Sequence, residues 1–164
     1  VGSYNFTNCC AAILIGKYFN VELDEIKRGI ENYIPQNNRS QIIKKNGHHI
    51  ILDAYNANPT SMKAALENFQ QLKADNKIAF LGDMFELGKT AEKEHQEISN
   101  IATNMKFDQV FLIGENFFKT KSDLRKFKSF DHLRETLNNK TLKNATILIK
   151  GSRGMALERI LDLI

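Results

Sequence analysis

The pattern of apolar and polar positions divides the chain into short buried-strand runs and amphipathic helical stretches. Ile50-Ile51-Leu52, Ile78–Leu81, Val110–Ile113 and Ile147–Ile149 are uninterrupted apolar runs of the length that fills a strand covered on both faces. Between them the apolar period lengthens to that of a helix. Met62, Ala65, Leu66 and Phe69 share one helical face, and so do His95, Ile98, Ile101 and Ala102. Leu133 and Leu137 mark a helix with Asp131 as its expected cap, and Met155–Leu163 reads as a last helix. Thr90 is the expected cap of the helix through His95, and Thr60 or Ser61 that of the helix through Met62. Phe117-Phe118 predicts a short helix, and Lys126–Ser129 a short edge strand.

Two further segments complete the pattern. Residues 1–34 read as two helices, one running through Ala12, Leu14, Ile15 and Phe19 and one over Leu23–Ile30 with Asp24 and Glu25 in its first turn. Helices of that size bury little core by themselves. Pro35-Gln36-Asn37-Asn38 reads as a linker, which places a boundary between a helical tail, residues 1–35, and a second domain, 36–164. Asn46-Gly47 lies between the strand-like runs Gln41–Lys45 and His48–Asp53 and signals a hairpin, with His48 and His49 as its solvated flank. Strands alternating with helices give an α/β fold. The expected form is a mostly parallel, Rossmann-like sheet of about six strands, with one antiparallel hairpin strand, helices on both faces and two helices in front.

Composition narrows the function classes. The chain has 164 residues, 42% hydrophobic and 26% charged, with a formal charge of +4. Its Lys and Arg are scattered among the acidic residues, without a basic arm or an aromatic-interleaved basic stripe, so nucleic acid is not an expected partner. No apolar run approaches a membrane span, and no membrane insertion is expected. Cys9 and Cys10 are adjacent on an apolar helical stretch, which reads as buried free thiols in a reducing, cytoplasmic setting. No Cys or His spacing suits a metal. The chain opens without Met, so a piece of a longer protein is expected.

The chemistry gathers after three strands that should lie side by side. The loops Asp53–Pro59, Gly82–Gly88 and Gly151–Gly154 would open on one sheet edge, where such folds bind ligands. A carboxylate at a strand's end, Asp53, suits ribose hydroxyls or a metal, and equally a simple turn cap. Lys150, Ser152 and Arg153 in a Gly loop suit a carboxylate or phosphate, and equally a solvated basic turn. Arg39, just past the linker, can clamp an anion bidentately. The stretch Gly82–Thr90 imitates a phosphate loop but has five residues between its glycines where the motif needs four. Asp83 and Glu86 would also repel the phosphate it is meant to hold.

Taken together, four stretches resemble the Mur ligase family, the ATP-dependent amide ligases of peptidoglycan precursor synthesis. They are Gly2–Ala12 (GSYNFTNCCAA), Asp53–Met62 (DAYNANPTSM), Leu81–Gly88 (LGDMFELG) with His95 after it, and Lys150–Arg153 (KGSR) leading to Glu158. The resemblance spans nearly the whole chain in the right order. It implies a C-terminal ligase domain preceded by the tail of a central ATP-binding domain. It implies that Asn5 and Asn8 contact the adenine side of ATP, and that Arg39 reaches the phosphates. Asp53 would hold the ribose, with Tyr55 and Asn58 lining the same loop. Asn56, Lys150, Ser152 and Arg153 would then serve the incoming amine substrate, and Arg39 and Lys150 are the implied catalytic cations. Tyr4 departs from the family, where many members carry His. The implied reaction joins UDP-MurNAc-tripeptide to D-Ala-D-Ala through an acyl phosphate with ATP and Mg²⁺, the metal being held outside this chain. The implied protein is cytoplasmic and monomeric, and this chain alone would not turn over. The rival readings are a stand-alone module that binds nucleotides or small acids, and another Mur-type ligase, such as a folate ligase or the diamino-acid-adding enzyme.

Overall fold

The structure, a computed structural model, describes residues 6–137, 142 and 144–164. The chain forms two compact units, Val1–Pro35 and Gln36–Ile164. The first holds α1 (Phe6–Tyr18) and α2 (Leu23–Glu31). Asn20 adopts a left-handed φ of 56° where α1 gives way to α2, as a helix-ending Asn does. Neither helix has a buried residue. Cys9 and Cys10 are free and half-buried, not the sealed core thiols expected, because two helices do not enclose enough volume.

The second unit is a six-stranded sheet in the order β1-β2-β6-β3-β4-β5. The strands are β1 (Gln41–Lys45), β2 (His48–Asp53), β3 (Lys77–Gly82), β4 (Gln109–Ile113), β5 (Arg125–Phe127) and β6 (Thr146–Lys150). Only β1 is antiparallel to its neighbour; the other pairings are parallel. The hairpin turn is the one expected, with Asn46 at φ 47° and Gly47 at φ 80°. Strand alternation sends Ile78, Phe80, Ile147 and Ile149 to one face, where α6 (Phe130–Leu137) and Leu157–Ile160 cover them. Ala79, Leu81 and Leu148 go to the other, against Met62, Leu66 and Phe69 of α3 (Pro59–Gln71) and Ile98 and Ala102 of α4 (Ala91–Asn104). A short α5 (Glu115–Phe118) adds Phe117 to that face.

Several local expectations shift. Asn58, not Thr60 or Ser61, caps α3: its side chain accepts from the Ser61 N–H at 2.8 Å while the Ser61 hydroxyl accepts from the Asn58 N–H. Pro59 takes the first helical position, where its missing N–H costs nothing. Thr90 stands at the N-cap position of α4 as expected, but its helical backbone angles continue a 3₁₀ turn (Gly88–Thr90) and its hydroxyl donates to the Leu87 carbonyl, so its side chain makes no capping bond. Asp131 lies within the first turn of α6, and it is the Ser129 hydroxyl that accepts the His132 N–H. His48 is buried, not solvated, because β2 lies between β1 and β6; its Nδ1 accepts the Ala145 N–H. The last helix is two 3₁₀ segments, Arg153–Met155 and Leu157–Leu163. The spacing of Leu157, Ile160 and Leu163 by three matches the 3₁₀ period.

Candidate functional site

The sheet brings the carboxyl ends of β2, β6 and β3 side by side, with Asp53 paired across to Lys150 and Lys150 to Leu81. The expected composite edge is therefore present. Two glycines allow the loops to leave it closely packed. A Cβ on Gly151 would stand 3.1 Å from the Gly82 Cα and 2.9 Å from a Leu157 methyl.

Asp53 and Lys150 form a pair at the floor of this edge, with Nζ to Oδ2 at 2.5 Å. The Lys150 side chain is 2% exposed and that of Asp53 16%. The ammonium also reaches the Asn56 carbonyl at 3.4 Å. Its charge is thus compensated locally, as a buried charge must be. The other Asp53 oxygen accepts the Ser40 N–H at 3.1 Å, and the Asn38 carbonyl accepts the Tyr55 N–H at 3.2 Å. These two bonds tie down the segment carrying Arg39 on both sides. Asn37, Asn38 and Ser40 all take left-handed φ, between 48° and 59°, so the segment is tightly turned. Asn accepts this conformation readily; Ser does so here with its N–H held by a carboxylate.

Above the floor, Tyr55 carries two guanidinium groups. Arg39 Cζ lies 3.9 Å and Arg153 Cζ 5.2 Å from its ring centroid. Both arginines are exposed, and among the described residues no carboxylate pairs with either. The hydrogen bond and charge of Arg39, then the charge of Arg153, hold the Tyr55 phenol below the ordinary tyrosine range. The arrangement is a cationic platform with unspent donors, suited to an anion such as phosphate or carboxylate.

The remaining candidates are dispersed. Asn56 accepts the following Ala57 N–H, and Asn58 is the exposed cap of α3. Ser152 is buried: its hydroxyl accepts the Phe85 N–H at 2.9 Å, and its own N–H donates to the Asp83 carbonyl at 3.1 Å. Asn8 is an exposed residue of α1, in the other compact unit, and Asn5 lies outside the described residues. Asn38 and Ser40 are structural members that sequence reasoning missed; the Asn-rich linker was their only signal. Among the described residues no three His, Cys, Asp or Glu side chains gather closely enough to hold a metal. A cavity of about 340 Å³ lies at the opposite, amino-terminal edge of the strands, lined by Gly47, Lys73, Asp75 and Thr146 among others, and shares none of the candidate residues.

The family profile described as "Mur ligase, glutamate ligase domain" matches residues 38–153, which contain the whole of this edge. The chain belongs to the Mur ligase family. Within that family it is 36% identical, over its whole length, to the UDP-N-acetylmuramoyl-tripeptide–D-alanyl-D-alanine ligase of Bacillus subtilis, covering 38% of that protein. The enzyme of the same name from Borreliella burgdorferi is 33% identical, with 99% of this chain and 37% of the relative covered. Among solved Mur ligases, the UDP-N-acetylmuramoylalanyl-D-glutamyl-2,6-diaminopimelate–D-alanyl-D-alanyl ligase of Acinetobacter baumannii superposes with a TM-score of 0.85. It is 29% identical, with 99% of this chain and 37% of that chain covered. The chain therefore spans less than two fifths of the length of these Mur ligases and carries the C-terminal domain of the family, in the fold expected for it. No helix among the described residues is long and apolar enough to cross a membrane.

Proposed function

We propose that this chain is the C-terminal part of an ATP-dependent ligase that adds D-Ala-D-Ala to UDP-MurNAc-tripeptide in the cytoplasm. Residues 1–35 are then the tail of the central ATP-binding domain, and 36–164 the C-terminal domain. The observation that carries the reading is the pair of guanidiniums held on Tyr55 beside Asp53, neither ion-paired to a carboxylate among the described residues, on a Mur ligase sheet edge.

The tripeptide carboxylate first takes a phosphoryl group from ATP, releasing ADP and leaving an acyl phosphate. The amine of D-Ala-D-Ala then attacks the acyl carbon, phosphate leaves, and an amide forms. Negative charge grows on oxygens at both steps, and fixed cations lower its energy. Arg39 supplies such a cation to the phosphates. Asp53 accepts from the ribose hydroxyls with the lone pairs left by Lys150 and Ser40, while Asn5 and Asn8 serve the adenine side. Tyr55 and Asn58 line the nucleotide loop. Arg153 holds the carboxylate of the incoming dipeptide, with Asn56 beside it. Lys150 and Ser152 serve that site from beneath, since both are buried. Mg²⁺ would be held by carboxylates outside this chain. The working protein is a monomer.

The test is phosphate release by the intact ligase containing this chain. Release that requires both UDP-MurNAc-tripeptide and D-Ala-D-Ala is the expected result. Release without the dipeptide, or with another amino acid in its place, overturns the assignment.

A further inference from the structure

Two titratable side chains outside the ligand groups are sealed from solvent: Asp83 is 2% exposed and His95 is not exposed at all. The Asp83 carboxylate accepts the N–H groups of Asn116 and Phe117, each at 2.9 Å, and the Asn116 side-chain amide at 3.2 Å. Gly114 makes room for it. A Cβ there would stand 2.3 Å from the carboxylate carbon, and φ is 125°. His95 Nδ1 donates to the Ala91 carbonyl at 2.6 Å, and Nε2 accepts the Met84 N–H at 2.9 Å. Nε2 therefore offers a lone pair, so its 3.5 Å approach to Asp83 is not an ion pair.

These bonds fix the backbone of residues 83–85, and that backbone in turn holds the loop after β6. The Asp83 carbonyl accepts the Ser152 N–H, and the Phe85 N–H donates to the Ser152 hydroxyl. The Phe85 ring lies against Gly154, where a Cβ would meet it at 2.8 Å. Arg153 thus sits between two residues clamped by one loop. We propose that Asp83 and His95 are positioning residues for Arg153: through Met84, Phe85 and Ser152 they set the affinity for the carboxylate that Arg153 binds. The inference rests on the dipeptide role given to Arg153 above.

Isosteric variants of the intact ligase test it. His95→Gln keeps an acceptor near the Nε2 position, whereas His95→Asn keeps only the Nδ1-like donor and leaves the Met84 N–H orphaned. The Asn variant is expected to raise KM for D-Ala-D-Ala about tenfold, the scale of one lost buried hydrogen bond, with KM for ATP unchanged and the Gln variant near wild type. Phe85→Ala should raise the same KM; Phe85 is 43% exposed, so this variant tests the idea even where the Asn variant does not fold. Limited trypsin cleavage after Arg153 reads the placement without any activity, and should run about tenfold faster in the Asn and Phe85→Ala variants. Unchanged cleavage in both overturns the proposal. So does a rise in both KM values together, which marks a merely structural role. Faster cleavage with no dipeptide-dependent turnover in the wild type would instead overturn the functional reading and leave the positioning intact.

Discussion

The helical unit, residues 1–35, and the sheet domain, 36–164, treat the same residue types in opposite ways. In the sheet domain Phe69, Phe80, Phe111 and Phe117 are each 1% exposed or less. In the helical unit Phe6 is 72% exposed, Tyr18 80%, Phe19 70%, Tyr33 70% and Ile34 74%. Both regions carry apolar stretches that predict their elements, and both form them, although α1 is apolar all round rather than along one face. Periodicity declares which face wants cover, but cover comes only from other elements. The sheet domain supplies its own, with helices on both faces. The helical unit displays an apolar surface of the kind that marks an interface, which fits a tail of a larger domain.

The strongest way to break this contrast is to separate the two regions. Residues 36–164 alone should unfold in a single sigmoidal thermal transition followed by circular dichroism, and residues 1–35 alone should show none. A cooperative transition in the short piece would erase the distinction. Next come single core truncations in the 1–164 chain. Phe80→Ala should cost about 3–5 kcal/mol in urea unfolding, and Leu14→Ala less than about 0.5 kcal/mol. Comparable losses would mean that the helical unit has a core of its own.

The third expectation probes a polar interior against an apolar one. Lys150→Met leaves the Asp53 carboxylate without its ammonium partner. The loss should be about 2–4 kcal/mol, below the full figure for a sealed pair because Asp53 keeps some solvent. A double variant with Asp53→Leu should recover part of it, and no recovery would show that Lys150 acts by packing alone.

How far the molecule was legible follows the same division. The buried runs at Ile50–Leu52, Ile78–Leu81 and Ile147–Ile149 disclosed a parallel sheet, because only a strand covered on both faces is apolar throughout. Asp53, Lys150 and Arg153 could be placed on one edge from strand ends alone. Their partners could not. That Asp53 binds the Ser40 N–H, or that Ser152 faces Phe85, depends on which strands adjoin, and the insertion of β6 between β2 and β3 has no local signal. His48 was misread for that reason. The caps of α3 and α6 were misplaced by two or three residues, since Thr60, Ser61 and Asp131 are all good cap residues and backbone angles decided among them.

The smallest effect sharpens the site itself. Tyr55 is the sole tyrosine of residues 36–164, so its titration can be followed by absorbance in that piece without interference. Arg39 and Arg153 hold its folded pKa below the unfolded one. The phenolate contact therefore adds nothing near neutral pH. Stability enters as pH rises through the folded value and is complete above the unfolded value. Arg39→Gln should move the titration back upward, and more than Arg153→Gln does. Equal shifts would show that the two guanidiniums share the ring evenly.

The place of β6 has a consequence for biosynthesis. The strand at the centre of the sheet is the last to be made, and its Lys150 meets an Asp53 that lies 97 residues earlier. While the ribosome is still extending the chain, β2 and β3 wait with exposed pairing edges and an open gap between them. The sheet cannot close element by element in the order it is made, and settles only once Thr146–Lys150 is available. A premature stop ahead of Thr146 would remove this strand and the 3₁₀ segments behind it, leaving most of the chain synthesised without the sheet's middle, a nascent product exposed to chaperones and proteases.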